Sequence, residues 1–169
     1  MRVHLALAEY DGKRVDTLQD IKTTHRASRE LLTDLVHLAT DEEGNVQAGA
    51  TWLLRAYLTE GASLPTEQVA ELAAALPDIA DTWARLHVCQ SVRYLEIAGP
   101  EAPRFAGFLR DCTTDRNTFV RAWATDGFSR LAHQHGAFAD EAKRLLDAAL
   151  VDPAPSIRAR ARQILAENG

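Results

Sequence analysis

The sequence predicts an all-α chain in which one helix pair is written about four times, at a spacing of 37 residues. Three observations carry that expectation. Residues 40–51 read TDEEGNVQAGAT and residues 114–125 read TDRNTFVRAWAT, with six of twelve letters identical at the same offsets. The phrases lie 74 residues apart, twice 37. Stepping by 37 from Leu35 meets Leu72, Leu109 and Leu146, and stepping from Asp41 meets Asp78, Asp115 and Asp152. Apolar residues at 46, 50, 53, 54 and 57 follow a 3.6-residue period, as a one-sided helix requires. Self-similarity at such a period is the mark of a stacked-repeat architecture.

Residues 1–27 lie outside the period. Val15, Leu18 and Ile21 mark a short amphipathic helix that could cap the first pair, while residues 1–10 carry no clear pattern. The repeats then run over about 28–64, 65–101, 102–138 and 139–169, in one domain spanning 1–169. Their first helices are expected at 28–39, 65–76, 102–113 and 139–150. Their second helices are expected at about 44–60, 80–97, 116–134 and 154–167. The apolar column of the second helices reads Val46, Trp83, Val120 and Ile157, which places Trp83 in the core. A parallel column reads Ala50, His87, Ala124 and Ala161. His87 breaks it, and a one-residue slip restores it with Val88 and Val92.

The punctuation agrees with these boundaries. All six prolines fall in connections or first helical turns, where a missing N–H costs little. Gly61, Gly99, Gly136 and Gly169 follow the second helices, where glycine accepts the left-handed closing conformation. Asp41, Asp78, Asp115 and Asp152 stand just before the second helices. There a carboxylate accepts backbone N–H bonds and meets the positive end of the helix dipole, so a structural turn role is expected.

The chain has 169 residues, a net charge of -5 and 46% hydrophobic content, as expected of a globular protein with a sizeable core. The acidic balance argues against a generic nucleic-acid binder. No apolar run approaches the roughly 18 residues that span a bilayer, and the N-terminus lacks the pattern of a secretory signal. Cys89 and Cys112 form no disulfide framework, so reduced thiols in a cytoplasmic protein are expected.

The stretch RLLDAALVDPAPSIRARARQILAE (144–167) resembles a HEAT repeat. Asp152, Pro153, Ile157 and Arg158 occupy the turn Asp-Pro and the hydrophobic–Arg pair that opens the second helix. Asp115, Val120 and Arg121 match in the third repeat, whereas the first has Gln47 at the arginine place and the second has Trp83 and Ala84. The resemblance covers residues 28–168. It implies a short right-handed α-solenoid of about four HEAT-like helix pairs, whose second helices line a concave side.

On that face the positions 47, 51 and 55 of the first repeat match Ala84, Val88 and Val92; Arg121, Thr125 and Ser129; and Arg158, Arg162 and Ala166. Charge separates by helix type. The second helices hold nine basic residues against five acidic ones, and the first helices five basic against eight acidic. The face is therefore expected to be a non-catalytic contact surface for another protein or peptide of acidic character. Its expected residues are Arg121, Trp123, Arg158 and Arg162, extended by Trp52 and Arg55. The alternative role for Arg121 and Arg158 is structural, bonding to the preceding repeat's turn.

No motif of a zinc site, phosphate loop, nucleophile elbow or metalloprotease occurs. His133 and His135 are read as exposed groups at a helix end rather than as metal ligands, and no cofactor is expected. One alternative rests on the resemblance. HEAT-like folds include DNA glycosylases with a basic concave cleft, and here Trp123 and Asp126 would supply the ring and the carboxylate.

Overall fold

The computed structural model describes residues 2–168, which form ten α-helices and no strand. They are α1 (Arg2–Ala8), α2 (Val15–Thr24), α3 (Arg29–Leu38), α4 (Gly44–Thr59), α5 (Thr66–Ala75), α6 (Thr82–Ser91), α7 (Ala102–Cys112), α8 (Thr118–Gln134), α9 (Ala139–Leu150) and α10 (Pro155–Asn168). Short 3-10 turns cover Leu76–Asp78, Val92–Tyr94 and Gly136–Phe138. The helices α4, α6, α8 and α10 pack successively on one another, more extensively than α3, α5 and α7 do. Leu35, Leu72 and Leu109 are fully buried and Leu146 nearly so, each on the inner side of its helix.

Residues 2–8, which carry no clear pattern in the sequence, join α2 within the expected cap of residues 1–27. They are helical, and Val3 and Leu7 bury against α4. Gly49 of α4 allows this approach, because a Cβ there would stand 2.6 Å from Leu7 Cδ2 and 3.3 Å from both Leu18 and Tyr10. Leu18 and Ile21 are buried as the amphipathic pattern implies, but Val15, which opens α2, is about half exposed.

Three of the four turn aspartates behave alike. Asp41, Asp115 and Asp152 each accept the N–H two residues ahead, at 3.0, 2.8 and 2.8 Å. Asp78 departs from this. It ends a 3-10 turn that draws Ile79 into the core, and the capping passes to Asp81, which accepts the N–H groups of Trp83 and Ala84. The second helices consequently begin at 44, 82, 118 and 155, with α6 one residue late. Ala84, Val88 and Val92 thereby enter the core, and Trp83 is turned outward with 47% of its surface exposed. The expectation that Trp83 is core, and that Ala84, Val88 and Val92 share the face of Gln47, is corrected by this slip.

Gln47 stands on α4 where Arg121 and Arg158 stand on α8 and α10, and its bonding accounts for the difference. It is buried, and its Nε2 donates to the carbonyls of Asp41 and Asp78 while its Oε1 accepts from the N–H groups of Ala80 and Asp81. The lengthened turn presents both donors and acceptors, and a guanidinium has no acceptor to offer. Gln47→Ala leaves four backbone groups unpaired and is expected to cost about 2–3 kcal/mol in urea denaturation.

Of the four glycines expected to close helices, Gly61 has φ 99° after α4, whereas Gly99 and Gly136 keep ordinary φ and sit in turns. Gly169 lies outside the described residues. No described helix is long and apolar enough to cross a membrane.

Candidate functional site

Once the one-residue slip is applied, the second helices present aligned side chains on one face. Ala48, Trp52 and Arg55 on α4 match Leu86 and Gln90 on α6 and Arg93 in the 3-10 turn after it, then Ala122, Asp126 and Ser129 on α8. Two features occupy this face: a cavity at the capped end and a charged cluster toward the other end.

The cavity has a volume of about 500 Å³. Its walls come from the α1–α2 loop with Tyr10 and Lys13, from the start of α2 with Val15, from α4 with Trp52 and Arg55, and from α6 with Trp83, His87 and Gln90. The Arg55 guanidinium lies over the Trp52 ring, 5.9 Å from its centroid. Burial lowers the pKa of Arg55, and its Nε is buried without a hydrogen bond. His87 Nδ1 lies 3.1 Å from Thr51 Oγ1. The Thr51 hydroxyl also lies within hydrogen-bond distance of the carbonyls of Gln47 and Ala48. Burial, and then the Arg55 charge, push the His87 pKa down to about 3.

That shift fixes a pH dependence. The unfolded chain protonates this histidine near pH 6.5, whereas the folded chain keeps it neutral down to about 3. Between those values the unfolded state holds the extra proton, so the His87 contribution to stability falls as pH falls through this window, by at most about 1.4 kcal/mol per pH unit. His87→Gln is expected to flatten the melting temperature between pH 6.5 and 4 relative to the parent chain.

The second feature centres on Asp126, buried on α8 at 1% exposure. Its carboxylate lies 3.5 Å from Arg93, 3.6 Å from Arg130 and 3.4 Å from Arg160. Glu167 pairs with both Arg93 and Arg130. Arg160 also stacks on Trp123, with its guanidinium carbon 3.7 Å from the ring centroid, and Arg93 stands 5.8 Å from the same ring. Three guanidinium groups and two carboxylates leave one net positive charge. In the glycosylase alternative Trp123 and Asp126 would act together. Here an arginine covers the ring, and arginines surround the carboxylate.

The residues expected at the contact surface separate into groups. Trp52 and Arg55 wall the cavity, and half-buried Trp123 joins the charged cluster. Arg121 and Arg158 turn back onto the turn just before their own helix, not onto that of the preceding repeat. Arg121 donates to the carbonyls of Asp115 and Arg116 at 2.8 and 3.2 Å, and Arg158 to those of Asp152 and Pro153 at 2.7 and 2.8 Å. With the slip, Arg85 holds the same position on α6 and pairs with Asp111 and Asp115 at 2.8 and 3.1 Å. Arg162 is exposed on α10. Arg93, Arg130 and Arg160 were not assigned to the contact surface from the sequence, and Trp83 and His87 were read as packing positions; carrying the slip hinted at by Val88 and Val92 through α6 aligns His87 with Gly49 and Arg93 with Arg55. His135 Nε2 lies 2.7 Å from the Ile97 carbonyl, and Cys89 and Cys112 are both free and buried.

No family model and no curated protein matches the chain.

Proposed function

We propose that the chain is a short right-handed solenoid of about four HEAT-like helix pairs with a 37-residue period, acting as a non-catalytic protein-binding module. The face of α4, α6, α8 and α10 takes an acidic segment of its partner. The observation behind this reading is the division of charge. The four second helices hold seven arginines (Arg55, Arg85, Arg121, Arg130, Arg158, Arg160 and Arg162) against Asp126 and Glu167. The first helices α3, α5, α7 and α9 hold five basic residues against eight acidic ones. Charge divided in this way steers partners by surface rather than by net charge. Free, buried cysteines suit a cytoplasmic setting within the same reading.

The test uses two labelled peptides of equal length, one rich in Asp and Glu and one rich in Lys, followed by fluorescence anisotropy at low salt. A chain of net charge -5 acting by total charge alone prefers the Lys-rich peptide. The proposed face prefers the acidic one by about tenfold or more, and loses it as salt rises. Equal or stronger binding of the Lys-rich peptide overturns the proposal.

A further inference from the structure

We infer that the cavity between the cap, α4 and α6 is a binding site for a small planar aromatic anion, whose ring packs against Trp52 and Trp83 and whose charged group meets Arg55. This goes beyond the acidic-segment reading and does not rest on it.

The volume of about 500 Å³ lies in the range of small-molecule sites, about 300–1,000 Å³, and exceeds what an ion or a few waters need. Its rim leaves apolar surface in water. Trp83 is 47% and Val15 52% exposed, two of the few large apolar side chains so placed. Apolar exposure gathered around a concavity, rather than scattered, marks a recognition site. Tyr10 and Trp52 add two more rings to the walls, and aromatic walls favour a flat, polarisable guest.

The charge of the guest follows from the lining. Arg55 and Lys13 both line the cavity, and no Asp or Glu does. Among the described residues, no carboxylate lies within 4 Å of either charged head group. Asp11 lies close enough to Lys13 for the two charges to act on each other, which leaves Arg55 as the cavity cation without an acidic partner. The Arg55 head is held over Trp52 with its Nε buried and without a hydrogen bond. A neutral guest would bury this cation further with no compensating charge, and a cationic guest would add repulsion. An anion on an aromatic frame satisfies the guanidinium and the indoles together.

The anionic group is a carboxylate or a phosphate, and two probes distinguish them. The full chain is labelled with nitrogen-15, and its three indole N–H signals are followed on adding 2-naphthoate, adenosine monophosphate or the neutral 2-naphthamide. The Trp52 and Trp83 signals are expected to shift saturably with at least one anion, while the Trp123 signal stays in place. 2-Naphthoate alone would assign a carboxylate, and the nucleotide a phosphate. Binding is expected to weaken about tenfold or more in Arg55→Gln, provided its spectrum shows a folded chain, and to be about tenfold weaker for 2-naphthamide. The inference is overturned if neither anion moves the two signals at millimolar concentration, if the amide binds as tightly as the acid, or if Arg55→Gln binds unchanged. Failure here leaves the peptide experiment untouched, because that one reads the preference for acidic over basic segments.

Discussion

Asp126→Ala is expected to destabilise the chain by about 3–5 kcal/mol, the cost of breaking a buried ion cluster by removing one side. The carboxylate is 1% exposed, and three guanidinium groups stand within 3.4–3.6 Å of it. Without it Arg93, Arg130 and Arg160 face one another with only Glu167 between them. All three arginines are partly exposed and can swing toward water, which places the loss toward the lower end of that range. For a chain of this length the loss corresponds to roughly 6–12 °C in melting temperature. Two further results follow from the electrostatic cause. High salt restores part of the lost stability, because screening weakens the repulsion. Adding Arg160→Met to Asp126→Ala restores more, since it removes one of the uncompensated charges. A loss below about 1 kcal/mol, insensitive to salt, would show that the cluster contributes little.

Leu109→Ala is expected to cost about 3–5 kcal/mol, and Leu146→Ala no more than about half of that. Both sit at the same place in successive first helices. Leu109 is fully buried in the large core that runs from α1 to α8. Its side chain reaches α8 beside Gly127, where even an added methyl would come within 2.8 Å of it. Leu146 retains 8% exposure and belongs to the small cluster of Ala122, Ala149, Ile157, Ala161 and Ile164. A cavity at Leu109 has packed neighbours on all sides, whereas one at Leu146 opens in a small cluster already in touch with solvent. Urea denaturation of both variants measures the ratio. Equal losses would contradict the unequal burial.

The first helices were legible in the sequence because each needs a leucine at one inward position and is bounded by proline or aspartate. Those features are local. The register of α6 was hidden for a physical reason. Trp83 is apolar and so fills the core column nominally, while the lengthening that displaces it arises from Ile79 folding into the core after a 3-10 turn. That is a tertiary preference whose one periodic trace is the pair Val88 and Val92. Trp52 and Arg55 could be placed on a shared helix face from spacing alone, since they lie three residues apart. The Asp126 cluster could not, because its partners Arg93, Arg160 and Glu167 come from separate elements and meet only when α6, α8 and α10 pack. The same holds for the cavity, whose Lys13 and Tyr10 belong to the cap. Arg121 and Arg158 were visible as a pair, yet whether they face outward or back onto the turn is set by side-chain rotamers, which the spacing does not encode.

The most direct measurement places a photo-crosslinking amino acid singly at Gln90 and Gln163, on the second-helix face, and at Glu71 and Asp147, on the first helices. Each variant is irradiated in native lysate, and the attached segment is sequenced by mass spectrometry. Attachment of an Asp- and Glu-rich segment at positions 90 and 163, with none at 71 and 147, is the expected result. Attachment at 71 or 147, a basic segment, or no attachment at the second-helix face would contradict a module that binds acidic partners there.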